Sequence, residues 1–169
     1  METIDTTTPE THVEYAGFWL RFVAYIIDGC ILGAVYFIVM VPILALMGIS
    51  AFTHRADINS MSDDEKAGMI ISFMGAFGAV ILALAILGWL YYAFMESSSK
   101  QATVGKMALG LKVTDMNGGR ISFLNATGRY FGKIVSHLIL YIGFIMAGLT
   151  EKKQGLHDIM AGCLVVKSN

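Results

Sequence analysis

Charge is what this chain has least of: 15% of its 169 residues are charged against 56% hydrophobic, and two long stretches carry no charge at all. A chain this apolar, with a mean hydropathy of +0.64, is an integral membrane protein rather than an ordinary soluble domain. The scarcity has further consequences. A formal net charge of -1 leaves no basic surface of the kind that grips nucleic acid. Two cysteines, Cys30 and Cys163, with no CxxC, provide neither a disulfide framework nor a metal spacing, and are expected to be small packing residues. The phosphate-binding loop G-x-x-x-x-G-K-[ST] is missing, because Lys106 is followed by Met107 and no glycine stands five positions before Gly105. Residues 1–15 are polar, Thr-rich and acidic, lack the basic start of a secretory signal, and are expected to form a disordered tail ahead of one membrane domain over residues 16–167.

What charge there is stands in telling places. Arg21 and Asp28 sit at the start of an apolar run that ends at Ile49, and an ionisable residue in such a segment costs about 2.5 to 3.5 kcal/mol at the centre of a span. Seven helical residues turn about 700° and rise about 10.5 Å, so Arg21 and Asp28 share a face yet stand too far apart for a direct i,i+4 pair. Each needs a partner from elsewhere. The run Phe22–Ile49 would be about 42 Å long as a straight helix, longer than the hydrocarbon core of about 30 Å, so it is expected to tilt or to break at Pro42. Gly29 and Gly33 beside Asp28 have the GxxxG spacing that lets another backbone approach. Ser62-Asp63-Asp64-Glu65 has the spacing of a capping box and opens a second uncharged run, Ala67 to Met95. That run ends in Trp89, Tyr91 and Tyr92, an aromatic belt on the side of Tyr15 and Trp19.

Residues 97–120 are too polar to span. Leu111–Thr114 alternates, Asn117-Gly118-Gly119 is a turn signal and Arg120–Ser122 could return as a small hairpin; Cys163–Val166 is another β-branched tract that could pair there. Residues 123–149 either cross or break and return. A full crossing splits the twelve Lys and Arg residues 7 to 5 between the two sides, whereas a return splits them 10 to 2, and the positive-inside rule favours the return. The expected fold is therefore all-α and integral to the membrane: two full transmembrane helices, a broken or re-entrant third membrane segment, and a small membrane-side β-hairpin.

Several separated motifs now agree: Arg21 with Asp28, Thr103-Val104-Gly105-Lys106 ahead of Gly110-Leu111-Lys112-Val113, Arg129, and Gly155-Leu156-His157-Asp158 ahead of Ala161-Gly162. Together they resemble the RDD family of membrane proteins over roughly residues 16 to 167. The family is named for one arginine and two aspartates, which match Arg21, Asp28 and Asp158; Gly162-Cys163 replaces its usual Gly-Thr. The resemblance implies little about activity beyond a link, for some members, to exchange of sodium, lithium or potassium for protons. Two functional readings follow. In one, the chain is a cell-membrane, multi-pass antiporter or ion-transport subunit. Arg21, Asp28 and Asp158 handle a monovalent cation and a proton, His137 is a candidate proton relay, and Lys106, Arg129 and His157 support them. In the other, the Arg/Asp/Asp set is a structural ion network in a non-transporting scaffold. Both expect membrane lipid around the chain, a homo-oligomer, no nucleic acid and no cofactor. Neither expects an enzyme: His157-Asp158 is similar to a metal-dependent phosphohydrolase dipeptide, but His12, His54 and His137 fall in a tail, an opposite-side loop and a span, so the ligand count is not met.

Overall fold

The computed structural model describes residues 13–139 and 142–168; most of the expected N-terminal tail lies outside them. Two helices, α1 (Phe18–Thr53) and α3 (Asp63–Ser97), are long and apolar enough to cross a membrane. Their 36 and 35 residues correspond to about 54 and 52 Å, well beyond a hydrocarbon core of about 30 Å. The short α2 (Arg55–Ser60) joins them. α3 begins at the expected capping box, in which the Ser62 hydroxyl accepts from the Glu65 N–H while Glu65 accepts from the Ser62 N–H at 2.8 Å. α1 does not break at Pro42 but runs through it to Thr53. A proline costs a helix one hydrogen bond, and with apolar side chains all around it a membrane helix loses more by unwinding in lipid than by carrying that gap.

The third segment is two helices, α5 (Phe123–Leu138) and α6 (Ile142–Leu149), bent by 105°. Both of its ends lie at the same end of the molecule. The Phe123 ring sits 5.0 Å from that of Phe94 near the close of α3, and Gly148 backs onto Phe18 at the start of α1. The pair therefore goes in and comes back, the arrangement that the charge distribution favours.

The remaining elements cover that end: α4 (Val104–Ala108), β1 (Leu111–Asp115), α7 (Leu156–Met160) and β2 (Cys163–Lys167). Sheet pairing differs in part from the sequence expectation. β1 pairs antiparallel with β2, Val113 opposite Val165, and residues 120–122 form no strand. The Asp115 carboxylate accepts from the N–H groups of Asn117 and Gly119, so the turn is locked but leads into α5. The other edge of β2 meets residues 14–16 through a Tyr15–Val166 bridge and the Ala16 N–H bond to the Val165 carbonyl.

Burial is one-sided. The apolar core consists of Ala16, Ala24, Ala93, Leu111, Val113, Ile121, Ala126, Cys163 and Val165, all at this end, while Phe37, Ile38, Leu46, Phe52, Ile71 and Met74 farther along α1 and α3 are exposed. In water that would be a liability; in a bilayer it is a helix surface meeting its solvent. Of the aromatics expected to form a belt, Trp19 is 74% exposed, whereas Tyr92 is buried and is not free to serve one. Nor do Gly29 and Gly33 serve packing within the described chain, since nothing lies within 4 Å of a Cβ built at either.

Topology follows from the returning segment. With single cysteines at Glu14, Asn59 and Lys153 in a Cys30→Ala/Cys163→Ala background, an impermeant thiol reagent on sealed cells should label Glu14 and Lys153 alike and Asn59 oppositely. Co-labelling of Lys153 with Asn59 would contradict the return.

Candidate functional site

The covered end of the molecule is built on buried ions. Arg129 on α5 is 2% exposed, Glu96 on α3 1% and Asp158 on α7 0%. The Arg129 guanidinium bridges the two acids, with Nε donating to Asp158 Oδ1 at 2.7 Å and Nη1 to Glu96 Oε2 at 3.1 Å. α5 presents Arg129 inward because Ala126, Arg129, Gly132 and Ser136 recur at helical spacing on its buried face. Gly132 on that face lets α7 come close, since an added Cβ would lie 3.1 Å from the Cα and Cβ of His157.

Each acid has a second cation. Arg21 Nη1 donates to Asp158 Oδ2, while Arg21 Nε is held by the Ala16 carbonyl at 2.9 Å. Lys106 donates to Glu96 Oε1, and Lys133, one turn beyond Arg129, stands 3.6 Å from the same oxygen with its ammonium 4.3 Å over the Tyr92 ring. The Gly155 N–H completes Asp158 at 3.1 Å. Burial alone would raise the Asp158 carboxyl, but Arg129, Arg21 and this N–H outweigh it and hold the group well below the usual carboxylate range. Burial draws the Lys106 ammonium down, against the pull of Glu96 and with the help of Arg129 and Lys133. His157, with Nε2 3.4 Å from Asp158 Oδ1, is drawn down to about 3 by burial and the cations nearby and is therefore neutral. Cys163, buried beneath this network, is pushed up to about 11 by desolvation and is a packing thiol rather than a nucleophile.

Asp28 stands apart. It shares a helix face with Arg21 but does not join the Arg21–Asp158 pair, and among the described residues it forms no salt bridge. Its carboxylate accepts three hydrogen bonds instead: from the Thr103 hydroxyl at 2.5 Å, the Gly105 N–H at 2.7 Å and the Tyr91 hydroxyl at 2.8 Å. Tyr91 in turn accepts from the Val104 N–H at 3.1 Å. Gly105 is obligatory at this contact, because an added Cβ would stand 2.2 Å from the Ala24 carbonyl oxygen. The Thr-Val-Gly-Lys motif therefore serves two acids: Thr103 and Gly105 hold Asp28, and Lys106 holds Glu96.

The two clusters share a cavity of about 340 Å³, walled by Arg21, Asp28, Lys106, Arg129, Lys133, His137 and His157 on its polar side and by Phe18, Phe22, Tyr25, Phe144 and Ile145 on its apolar side. His137 lies there with its ring 4.9 Å from that of Phe144. The structure thus brings Arg21, Asp158, Arg129, Lys106 and His157 into contact or near-contact as a network, and sets Asp28 and His137 on the wall of the space beside it. Glu96 and Lys133 were not anticipated. Lys133 stands one helical turn from Arg129, a spacing that already places both on one face; Glu96 closes an uncharged run and carries the outward signs of a helix-end residue at a surface.

Fold and site together define a class: a membrane protein with two spanning-length helices, a returning third segment and a buried ion network at one end. The chain matches the RDD family over residues 15–162, and it belongs to that family. It is 40% identical to the uncharacterized protein YxaI of Bacillus subtilis (strain 168) over 152 residues, covering 89% of this chain and 96% of that protein. It is also 28% identical to the uncharacterized membrane protein YteJ of the same organism over 162 residues, covering 92% and 82%, and 25% identical to its uncharacterized protein YckC over 158 residues, covering 89% and 83%. No solved structure matches the chain.

Removing one anion from such a network strands its cations. Glu96→Gln leaves Lys106 and half of Arg129 unneutralised and should destabilise the fold by about 3 to 5 kcal/mol, read as a lowered melting temperature and loss of a monodisperse peak in detergent. Glu65→Gln, at an exposed cap where glutamine still accepts from the Ser62 N–H, should leave both readouts nearly unchanged. Equal effects of the two would contradict the network's role.

Proposed function

We propose that this protein works in the cell membrane as a multi-pass ion-transport protein that exchanges a monovalent cation for a proton at Asp28. The observation that carries the reading is the division among the three buried acids. Glu96 and Asp158 are each committed to at least two cations, whereas Asp28, equally buried and on the cavity wall, takes its hydrogen bonds from neutral donors and forms no salt bridge among the described residues. A buried carboxylate outside any salt bridge is the group whose neutralising partner can come and go, and ionisable groups at membrane depth mark ion and proton paths. In this reading Arg21, Arg129 and Asp158 form the fixed frame, and His137, which lines the same cavity, passes the proton.

A second reading has its own support. The donors to Asp28 come from α3 and from the segment around α4, so the same carboxylate ties three elements together, as a structural clasp in a non-transporting scaffold would.

Asp28→Asn separates the two. The Thr103 hydroxyl can reverse and accept from the new amide while the carbonyl keeps Tyr91 and Gly105, so the variant should stay monodisperse in detergent. In liposomes under sodium, potassium or lithium gradients it should have lost ion-dependent proton movement that the native protein shows. A folded variant that exchanges at the native rate removes Asp28 from the mechanism. A native protein without flux for any of the three ions leaves the scaffold.

A further inference from the structure

The cavity is unbalanced in charge. Arg21, Lys106, Arg129 and Lys133 contribute four cations at or beside its wall, against three carboxylates from Asp28, Glu96 and Asp158. Two of the cations also have donors to spare. Arg21 Nη2 is buried without a hydrogen-bond partner among the described residues, a costly state for a guanidinium N–H. Lys133 carries three N–H donors, yet among the described residues its ion-pair and ring contacts are an oxygen at 3.6 Å and the face of the Tyr92 ring, neither of which is a full hydrogen bond. Both side chains wall the same space. An excess of positive charge with unfilled donors is the signature of an anion site.

The opposite wall says what kind of anion. Phe22, Tyr25 and Ile145 line the cavity and are also exposed on α1 and α6, so the opening is flanked by side chains that face the bilayer. A free inorganic ion would leave that wall unused. At about 340 Å³ the space lies near the lower end of small-molecule pockets, roughly 300 to 1,000 Å³: enough for a headgroup, with acyl chains running out over the apolar flank. The level also fits, because Arg21 stands two residues beyond Trp19, an exposed aromatic of the type that marks the headgroup region.

We infer that the cavity holds the phosphate headgroup of an anionic glycerophospholipid, with Arg21 Nη2 and Lys133 as its donors and Phe22 and Ile145 against its chains. Seated there, the phosphate offsets the excess positive charge of the wall. This site does not depend on ion exchange, since it is read from lipid occupancy alone.

Native mass spectrometry tests it. With the full chain in detergent and equimolar dioleoyl-phosphatidylglycerol and dioleoyl-phosphatidylcholine, bound lipid should be predominantly the phosphatidylglycerol. Lys133→Gln should weaken its retention by about tenfold, the loss of one charge-assisted contact, while Lys152→Gln, an exposed change outside the cavity, should not. Equal retention of the two lipids by the native protein overturns the site even if the Lys133 variant fails to fold. Retention unaffected by Lys133→Gln overturns it as well. Displacement of the phosphatidylglycerol by millimolar inorganic phosphate would assign the cavity to a free anion and overturn the lipid.

Discussion

A charge taken out of water must be matched where it sits, and the Arg129 guanidinium between Asp158 and Glu96 is where this protein meets that requirement. Desolvating an ion costs several kcal/mol even after relaxation, and the attraction of a partner repays it only when the geometry is close and the remaining donors and acceptors are also satisfied. The consequences spread outward. Asp158 requires α7 against α5, Glu96 requires the end of α3, Arg21 requires the start of α1, and Lys106 requires α4. Each element at this end supplies a charge to the network or, like β1 and β2, covers it. The third segment has to return for the same reason, because a chain that crossed would carry Asp158 away from both of its arginines.

How far this was legible follows from which features are local. The capping box at Ser62 and Glu65, the two long apolar runs and the polar break between them are local, and they appear in the structure as expected. The return of the third segment is not local but leaves a trace in the distribution of lysine and arginine. The separation of Asp28 from Arg21 follows from the rise of a helix over seven residues, whereas the pairing of Arg21 with Asp158 depends on the return of the third segment. What could not be read was partner choice across distance. Asp115 caps its own turn as a hairpin residue would, yet β1 takes its partner from fifty residues downstream, because the apolar face of Val113 needs Val165 and the chain between them must first build α5, α6 and α7. Glu96 was hidden by its position after an aromatic cluster, and Tyr91, which has the look of a belt residue, donates to Asp28 instead.

The two ends of the molecule obey different solvents. At one end backbone and ions are buried by protein; at the other, α1 and α3 present bare apolar faces whose only requirement is hydrocarbon. The cavity lies between these regimes, with a cationic wall on the protein side and an aromatic and aliphatic wall on the bilayer side. Asp28 stands on its wall, at the border between a fixed network and an open space.

The claim that this network, rather than apolar packing, holds the covered end together is tested most directly by a double-mutant cycle on Arg21→Gln and Asp158→Asn, with thermal stability measured in one detergent. Removing either partner alone should destabilise strongly, and removing both should cost less than the sum, with a coupling energy of about 1 to 3 kcal/mol. Effects that add within about 0.5 kcal/mol would mean that the two groups do not stabilise each other, and would contradict the account.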